Sequence, residues 1–158
     1  MDLPSALIWG FGATIALTTI MMAARALGRT RIDLPFVLGL MFTPDGDRAK
    51  VYGFVIHVAN GWIFAFVYVA AFETAERADL FLGLLIGLVH GVFVVVVGMP
   101  TLLPALHPRM ATDGWGPEPT RQLEPPGNLS LNYGLSTPVV TVMAHLLYGA
   151  ILGVFYSP

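Results

Sequence analysis

The sequence predicts an all-α membrane protein with four transmembrane helices arranged as two pseudo-symmetric hairpins. Of its 158 residues, 56% are hydrophobic and only 11% are charged, whereas soluble globular chains are about 25% charged. Four apolar stretches come close to the roughly 20 residues that cross a hydrocarbon core, and they lie at about residues 7–27, 51–72, 80–98 and 139–156. In addition, part of the second span is repeated in the fourth, which predicts the pairing into hairpins.

The repeated stretch begins at a histidine, His57 in the second span and His145 in the fourth. Small residues follow four and eight positions later and a tyrosine follows at eleven, namely Gly61, Ala65 and Tyr68 in one copy and Gly149, Gly153 and Tyr156 in the other. Residues four apart share one face of a helix, so the repeat is a helix-packing face with a titratable group at one end. Because the unit contains two spans, both copies point the same way, which predicts a pseudo-two-fold axis along the membrane normal.

Composition limits the classes of function. The net charge is −2 with 8 Lys plus Arg, which leaves no basic surface for a phosphate backbone, so nucleic acid is not a predicted partner. The absence of cysteine excludes disulfides and thiolate metal sites. The start of the chain lacks a positive n-region, so we interpret the first span as retained rather than as a signal peptide. All 158 residues form one predicted membrane domain.

A short apolar stretch at about 33–43 follows the first span and is too short to cross the bilayer. Asp33 and Pro35 at its start form a helix-start signature, an N-cap followed by a proline in the first turn. We therefore predict a short interfacial helix here.

Small residues recur at every fourth position in spans two and three, a pattern typical of close helix packing in membranes. The predicted packing residues, besides those of the repeat, are Gly53, Gly83, Gly87 and Gly91. A short polar turn joins the two spans, which predicts that they pack against each other. Met99 and Pro100 are expected to kink or end the third span.

Residues 101–137 hold half of the 12 prolines and predict an ordered Pro-rich cap loop over one membrane face. Most basic residues lie after spans one and three, including Arg25, Arg29 and Arg109. By the positive-inside rule these connections are cytoplasmic and both termini are extracytoplasmic. His107, at the membrane edge, is expected to cap a helix end or meet lipid headgroups.

Histidines within membrane spans are costly and are candidate functional residues. His57 and His145 fall at equal depth by the repeat, and His90 falls near the same depth on span three. One interpretation is an interhelical hydrogen bond between glycine-rich faces. A second is that His57 and His145 are axial ligands of a b-type haem. A third is a copper or other metal site formed by both of them with His90.

The predicted role is a non-catalytic accessory or assembly subunit of a larger bacterial inner-membrane complex. The chain has no G-x-S-x-G element and no acidic residue within a span that could orient a base, so no catalytic residue is predicted. The expected partners are the lipid bilayer and other membrane subunits or further copies of this chain. The alternatives are a haem or metal-binding electron-transfer module and, third, a small transporter or channel.

Two phrases resemble an uncharacterised family of small four-span bacterial inner-membrane proteins. They are Gly87 to Gly91 (GLVHG) and His145 to Tyr156 (HLLYGAILGVFY). The resemblance implies a bacterial membrane origin and a four-helix fold, and it implies no activity, cofactor or catalytic residue.

Overall fold

The described residues form five helices, four of which are long and apolar enough to cross a membrane. The structure, a computed structural model, describes residues 1–111 and 123–157. In chain order the helices are α1 (Leu3–Ala26), α2 (Leu34–Leu40), α3 (Gly46–Thr74), α4 (Leu80–Leu106) and α5 (Thr137–Phe155). A 3₁₀ turn covers Asn128–Tyr133, and the described residues form no strand. The predicted all-α membrane fold is confirmed.

Aspartate side chains begin four of the five helices by accepting hydrogen bonds from first-turn amides, and these N-caps are Asp2, Asp33, Asp45 and Asp79. At α2 the cap is the predicted one, because Asp33 accepts from the Phe36 amide at 3.1 Å. Each cap satisfies amides that have no partner within the helix. The caps therefore fix where each helix starts at the membrane surface.

The third span runs to Leu106, eight residues beyond the end expected near Gly98. From Val94 to Leu102 the helix has π-type hydrogen bonding, and Pro100 lies inside this stretch. Proline has no amide hydrogen and its ring clashes with the carbonyl four residues earlier in a normal α-helix. The wider i→i+5 turn accommodates the proline, so the helix continues through it.

Small residues allow the close crossings within each hairpin. Where α4 crosses α5, a Cβ added at Gly83 would collide with the Gly149 carbonyl, and one added at Gly153 would collide with the Asp79 carbonyl. Where α1 crosses α3, a Cβ at Gly10 would lie 2.7 Å from the Ala65 Cβ. The repeat positions Ala65 and Gly153 thus both face the first helix of their own hairpin.

Gly53 contacts α2 rather than another span. A Cβ at Gly53 would collide with the Pro35 carbonyl, and one at Gly39 would collide with the Ala49 carbonyl. The backbones of α2 and α3 are therefore in direct contact, and α2 lies across the N-terminal part of α3.

Helices α3 and α4 are not close neighbours, although a short turn joins them. Helix α4 packs closely against α5, and α1 packs against both α3 and α5, whereas α3 and α4 approach each other at few positions. The prediction that spans two and three pack together is therefore wrong. The outer helices α1 and α5 are in contact instead, and the predicted two-fold relation of the hairpins stays a prediction.

The described parts of the predicted cap loop pack over α2 and the end of α4. They contribute Met110 and Tyr133 to a small apolar core with Ile32, Val37 and Leu103. The Tyr133 hydroxyl donates to the Glu124 carbonyl at 2.6 Å. Residues 112–122, the middle of the predicted cap, lie outside the described residues.

Candidate functional site: a cavity between α3 and α4

A cavity of about 390 Å³ occupies the space between α3 and α4. Its walls are largely apolar, with Ile56 and Phe64 on α3 and Val94 and Met99 on the π-helical part of α4. Helix α2 covers one end with Leu38. The π-helical turn and the separation of α3 from α4 together create this space.

The rim of the cavity is apolar. Three of the residues that line it are exposed at the protein surface, Phe42 in the loop after α2 and Leu102 and Leu106 near the end of α4. The cavity therefore reaches the protein surface beside apolar side chains, near the end of the molecule that carries α2.

The opposite end of the cavity is polar and brings together the three histidines of the spans. This polar end consists of Thr14, His57, Asn60, His90, His145 and Tyr148. The sequence singled out the three histidines, and the structure places all of them along this one cavity. No Lys, Arg, Asp or Glu of the described residues lines it.

His145 is 7% exposed, and its protonation pattern follows from one contact. Its Nδ1 lies 2.7 Å from the carbonyl oxygen of Thr141, one helical turn earlier. A carbonyl can only accept a hydrogen bond, so Nδ1 carries the proton. In the neutral ring Nε2 is then an acceptor, and no described residue donates to it.

His90 is held between aromatic rings. It stacks on Phe64 with ring centroids 4.0 Å apart, and its ring meets His145 edge-to-face at 4.5 Å. Its Nδ1 lies 3.2 Å from the Tyr68 hydroxyl. Tyr68 is only 1% exposed, and no other described group accepts its proton, so the hydroxyl donates to Nδ1. The remaining proton of neutral His90 is then on Nε2.

The other polar groups of this end divide into partnered and unpartnered ones. The Tyr148 hydroxyl donates to the Gly61 carbonyl at 2.6 Å and the Thr14 hydroxyl donates to the Gly10 carbonyl at 2.7 Å. The side chains of His57 and Asn60 have no hydrogen-bond partner among the described residues. Within the same residues the one fully buried side-chain polar atom without a partner is Ser130 Oγ. The unpartnered atoms of His57, Asn60 and His145 therefore keep some accessible surface, and all three residues line the cavity.

The positions of His57, His90 and His145 can be compared with the predicted copper and haem sites. No group of three or more His, Asp or Glu side chains lies close enough together to hold a metal ion anywhere in the described part of the chain. The three imidazoles thus share a cavity without forming a three-ligand copper site. His90 and His145 touch edge-to-face, which leaves no plane between them for a porphyrin. The haem ligation predicted for His57 and His145 stays a prediction.

His107 lies outside the cavity and caps α2 from the end of α4. The Arg109 amide donates to its Nδ1 at 3.1 Å, and its Nε2 donates to the Val37 carbonyl at 2.9 Å. The Arg109 guanidinium donates to the Leu40 carbonyl. Burial lowers the pKa of His107, and the nearby Arg109 charge acts in the same direction. These contacts tie α2 to α4 beside the cavity.

Sequence reasoning found the histidines but not the walls of the cavity. Leu38 lies on α2 and Phe42 in the loop after it, in a stretch that hydropathy marks only as interfacial, and the π-helical wall is signalled only by Pro100. Comparison with protein-family models, with curated proteins and with solved structures found no match for this chain.

Proposed function

We propose that this chain is a membrane-embedded binding protein that takes an amphipathic small molecule from the bilayer. The apolar part of the ligand occupies the cavity between α3 and α4, and its polar group reaches the polar end. The observation that carries the proposal is the set of unpartnered hydrogen-bonding atoms on His57, Asn60 and His145 at the inner end of an otherwise apolar cavity.

Size and lining support a small molecule as the occupant. A volume of about 390 Å³ falls in the range of roughly 300–1,000 Å³ that is typical of small-molecule sites. Such sites combine mainly apolar walls with a few convergent polar groups. The apolar rim at Phe42, Leu102 and Leu106 supports access from lipid rather than from water.

The polar end supports a ligand with a polar group. Hydrogen-bonding groups at membrane depth are costly when they have no partner. A hydrogen-bond partner within the protein is available to Thr14, Tyr148 and His90. The free atoms of His57, Asn60 and His145 have no such partner. A polar group on the ligand supplies the missing hydrogen bonds.

Photolabelling tests the proposal. The purified chain in lipid nanodiscs is irradiated with a long-chain alcohol that carries a diazirine on its chain, and the labelled residues are mapped by mass spectrometry. We expect saturable labelling at cavity residues such as Leu38, Val94 and Met99, which excess unlabelled alcohol suppresses. Val89, an exposed residue on the same helix, serves as the control for labelling from bulk lipid.

Two outcomes contradict the proposal. One is labelling of Val89 and the cavity residues in the same proportion, without saturation. The other is unchanged labelling in Val94→Trp, a substitution that fills the cavity while leaving the lipid-facing surface intact.

The accessory-subunit role stays a prediction and is compatible with ligand binding. Purification from gently solubilised native membranes tests it, since a free monomer alone would contradict it. A reduced-minus-oxidised optical spectrum tests the haem prediction, because bands lost in both His57→Ala and His145→Ala would establish haem. Proton or metal flux in liposomes that depends on the polar end would support the transporter alternative.

We place the chain in the bacterial inner membrane with both termini extracytoplasmic, as the distribution of basic residues favours. The end that carries α2 and Arg109 is then cytoplasmic. Single cysteines test this in a chain that has no native one. A cysteine near Asp47 is expected to resist impermeant thiol reagents in intact cells, and one near Glu76 is expected to react.

A further inference from the structure

We infer that the polar end of the cavity recognises a hydroxyl group, so that the ligand is a lipid-soluble alcohol or phenol rather than a carboxylate, an ether or a ketone. This inference rests on the proposed function and deepens it by assigning the chemistry of the ligand's polar group. It follows from which atoms at the polar end donate and which accept.

His145 supplies the acceptor. Its Nδ1 is committed to the Thr141 carbonyl at 2.7 Å as a donor, and Nε2 of the neutral ring therefore carries a lone pair. Since no described residue donates to Nε2, the ligand must bring a proton. An ether or a ketone has none to give, so either would leave this acceptor unsatisfied.

His90 supplies the donor. The Tyr68 hydroxyl occupies its Nδ1 at 3.2 Å, which leaves the proton on Nε2. The ring centroids of His90 and His145 are 4.5 Å apart, so the residue that supplies a donor and the residue that supplies an acceptor are neighbours in the cavity lining. The amide of Asn60, which also lines the cavity, adds one donor group and one acceptor. A hydroxyl is the smallest group that both donates and accepts.

The charge of the cavity argues against a carboxylate. The described lining contains no lysine or arginine, and a lone pair on His145 Nε2 repels an anion rather than stabilising it. Transfer of an unpaired carboxylate into an apolar cavity is strongly unfavourable. A neutral hydroxyl carries no such cost.

A competition experiment with matched head groups tests the inference. The photolabelling alcohol is displaced by three unlabelled competitors with the same alkyl chain, ending in a hydroxyl, a methyl ether or a carboxylate. We expect the ether to compete roughly five- to tenfold more weakly than the alcohol, which corresponds to one hydrogen bond, and the carboxylate to compete more weakly still. Equal competition by all three would overturn the inference while leaving the proposed function intact.

Two variants of His145 test whether its Nε2 causes the preference for the alcohol over the ether. The side chain of His145→Asn keeps a donor near the Nδ1 position, for the Thr141 carbonyl, and lacks an atom at the Nε2 position. The longer His145→Gln side chain places an amide near the Nε2 position. We expect the alcohol-over-ether preference to disappear in His145→Asn and to persist in His145→Gln.

The ether competitor controls for damage to the cavity, because a folding defect weakens alcohol and ether alike. A preference that survives in His145→Asn would overturn the role of His145. If none of the competitors displaces the label from cavity residues in the wild-type chain, the proposed function itself is wrong, and that result is distinct from a cavity that binds every head group equally.

Discussion

At the residue scale, His107 shows how one neutral imidazole holds α2 in place. It is 3% exposed, accepts from the Arg109 amide on Nδ1 and donates from Nε2 to the Val37 carbonyl. Both bonds require the neutral ring with its proton on Nε2, because a protonated Nδ1 cannot accept. The lowered pKa of His107 has the same origin, since burial and the Arg109 charge both disfavour the cation.

Acidification is expected to weaken this contact. At pH 7.5 His107 is neutral in the folded and unfolded chain, so its contribution to the free energy of unfolding is fully present. As the pH falls below the unperturbed histidine pKa of about 6.5, the unfolded chain takes up a proton that the folded chain resists. Stability from this site therefore falls with pH, by at most about 1.4 kcal/mol per pH unit for one proton.

Thermal unfolding in detergent at pH 7.5 and 5.5 measures the effect, with His107→Gln as the matched control. The glutamine amide donates to the Val37 carbonyl at either pH. We expect the stability advantage of the wild-type chain over His107→Gln to shrink at pH 5.5. An advantage that stays constant or grows on acidification would contradict the assignment.

At the same scale, the sequence singled out the histidines of the spans and could not predict their partners. His57 and His145 were found by their spacing, and the structure places both in the lining of one cavity. The Tyr68 contact to His90 joins residues 22 positions apart, and the contact of His107 to α2 joins residues 70 apart. Neither pairing leaves a periodic signal in the sequence.

At the scale of elements, the α4–α5 crossing depends on glycine at Gly149. A Cβ there would collide with the Gly83 carbonyl, and backbone cannot move aside as a flexible side chain does. We expect Gly149→Ala to destabilise the fold by about 1–3 kcal/mol through overpacking. Thermal unfolding in detergent measures the loss.

Gly12→Ala is the matched control for this substitution. A Cβ at Gly12 would lie 3.9 Å from its nearest neighbour, on Trp9, which is ordinary contact. Alanine there is expected to be neutral or to stabilise α1 by about 0.5–1 kcal/mol, since glycine is the poorer residue in a helix interior. Equal effects at both positions would show that the α4–α5 crossing is not closely packed.

The π-helical stretch of α4 forms part of the cavity wall, and Pro100 lies inside it. Pro100→Ala restores an amide hydrogen and removes the ring, so the helix can return to i→i+4 bonding, which rotates the residues that follow the stretch. We expect saturable photolabelling at Leu103, which follows the stretch and lines the cavity, to fall several-fold. Pro104→Ala, beyond the π-helical stretch, is expected to leave this photolabelling unchanged. A larger loss of labelling in Pro104→Ala than in Pro100→Ala would contradict the role given to Pro100.

Element positions followed from hydropathy and cap residues, while two features of the elements did not. The sequence ended span three near Gly98 because proline ordinarily stops an α-helix, and the wider turn is a tertiary accommodation that propensity does not encode. Short turns between spans favour neighbours, yet α4 packs on α5 because Gly83 and Gly149 permit backbone contact. The α3 side chains that meet α4 are instead the bulky Phe64 and Tyr68, at His90.

At the scale of the whole molecule, the cavity lies where two helices approach each other at few positions. Helices α1 and α5 are in contact, with Trp9 stacked on Phe155 at 4.4 Å, whereas the backbones of α3 and α4 come close at few positions and meet mainly through side chains at His90. Helix α2 covers the remaining space with Leu34 and Leu38. The spacing of α3 and α4 is therefore what leaves room for the cavity.

A high-resolution experimental structure of the chain in lipid nanodiscs tests the central claim most directly, because it shows what lies between α3 and α4. The account predicts elongated non-protein density that runs from the rim at Phe42 and Leu106 to the polar end, with a polar group within hydrogen-bond distance of His145 Nε2. Side chains of α3 and α4 that interdigitate and fill this space, with His145 Nε2 bonded to protein, would contradict it.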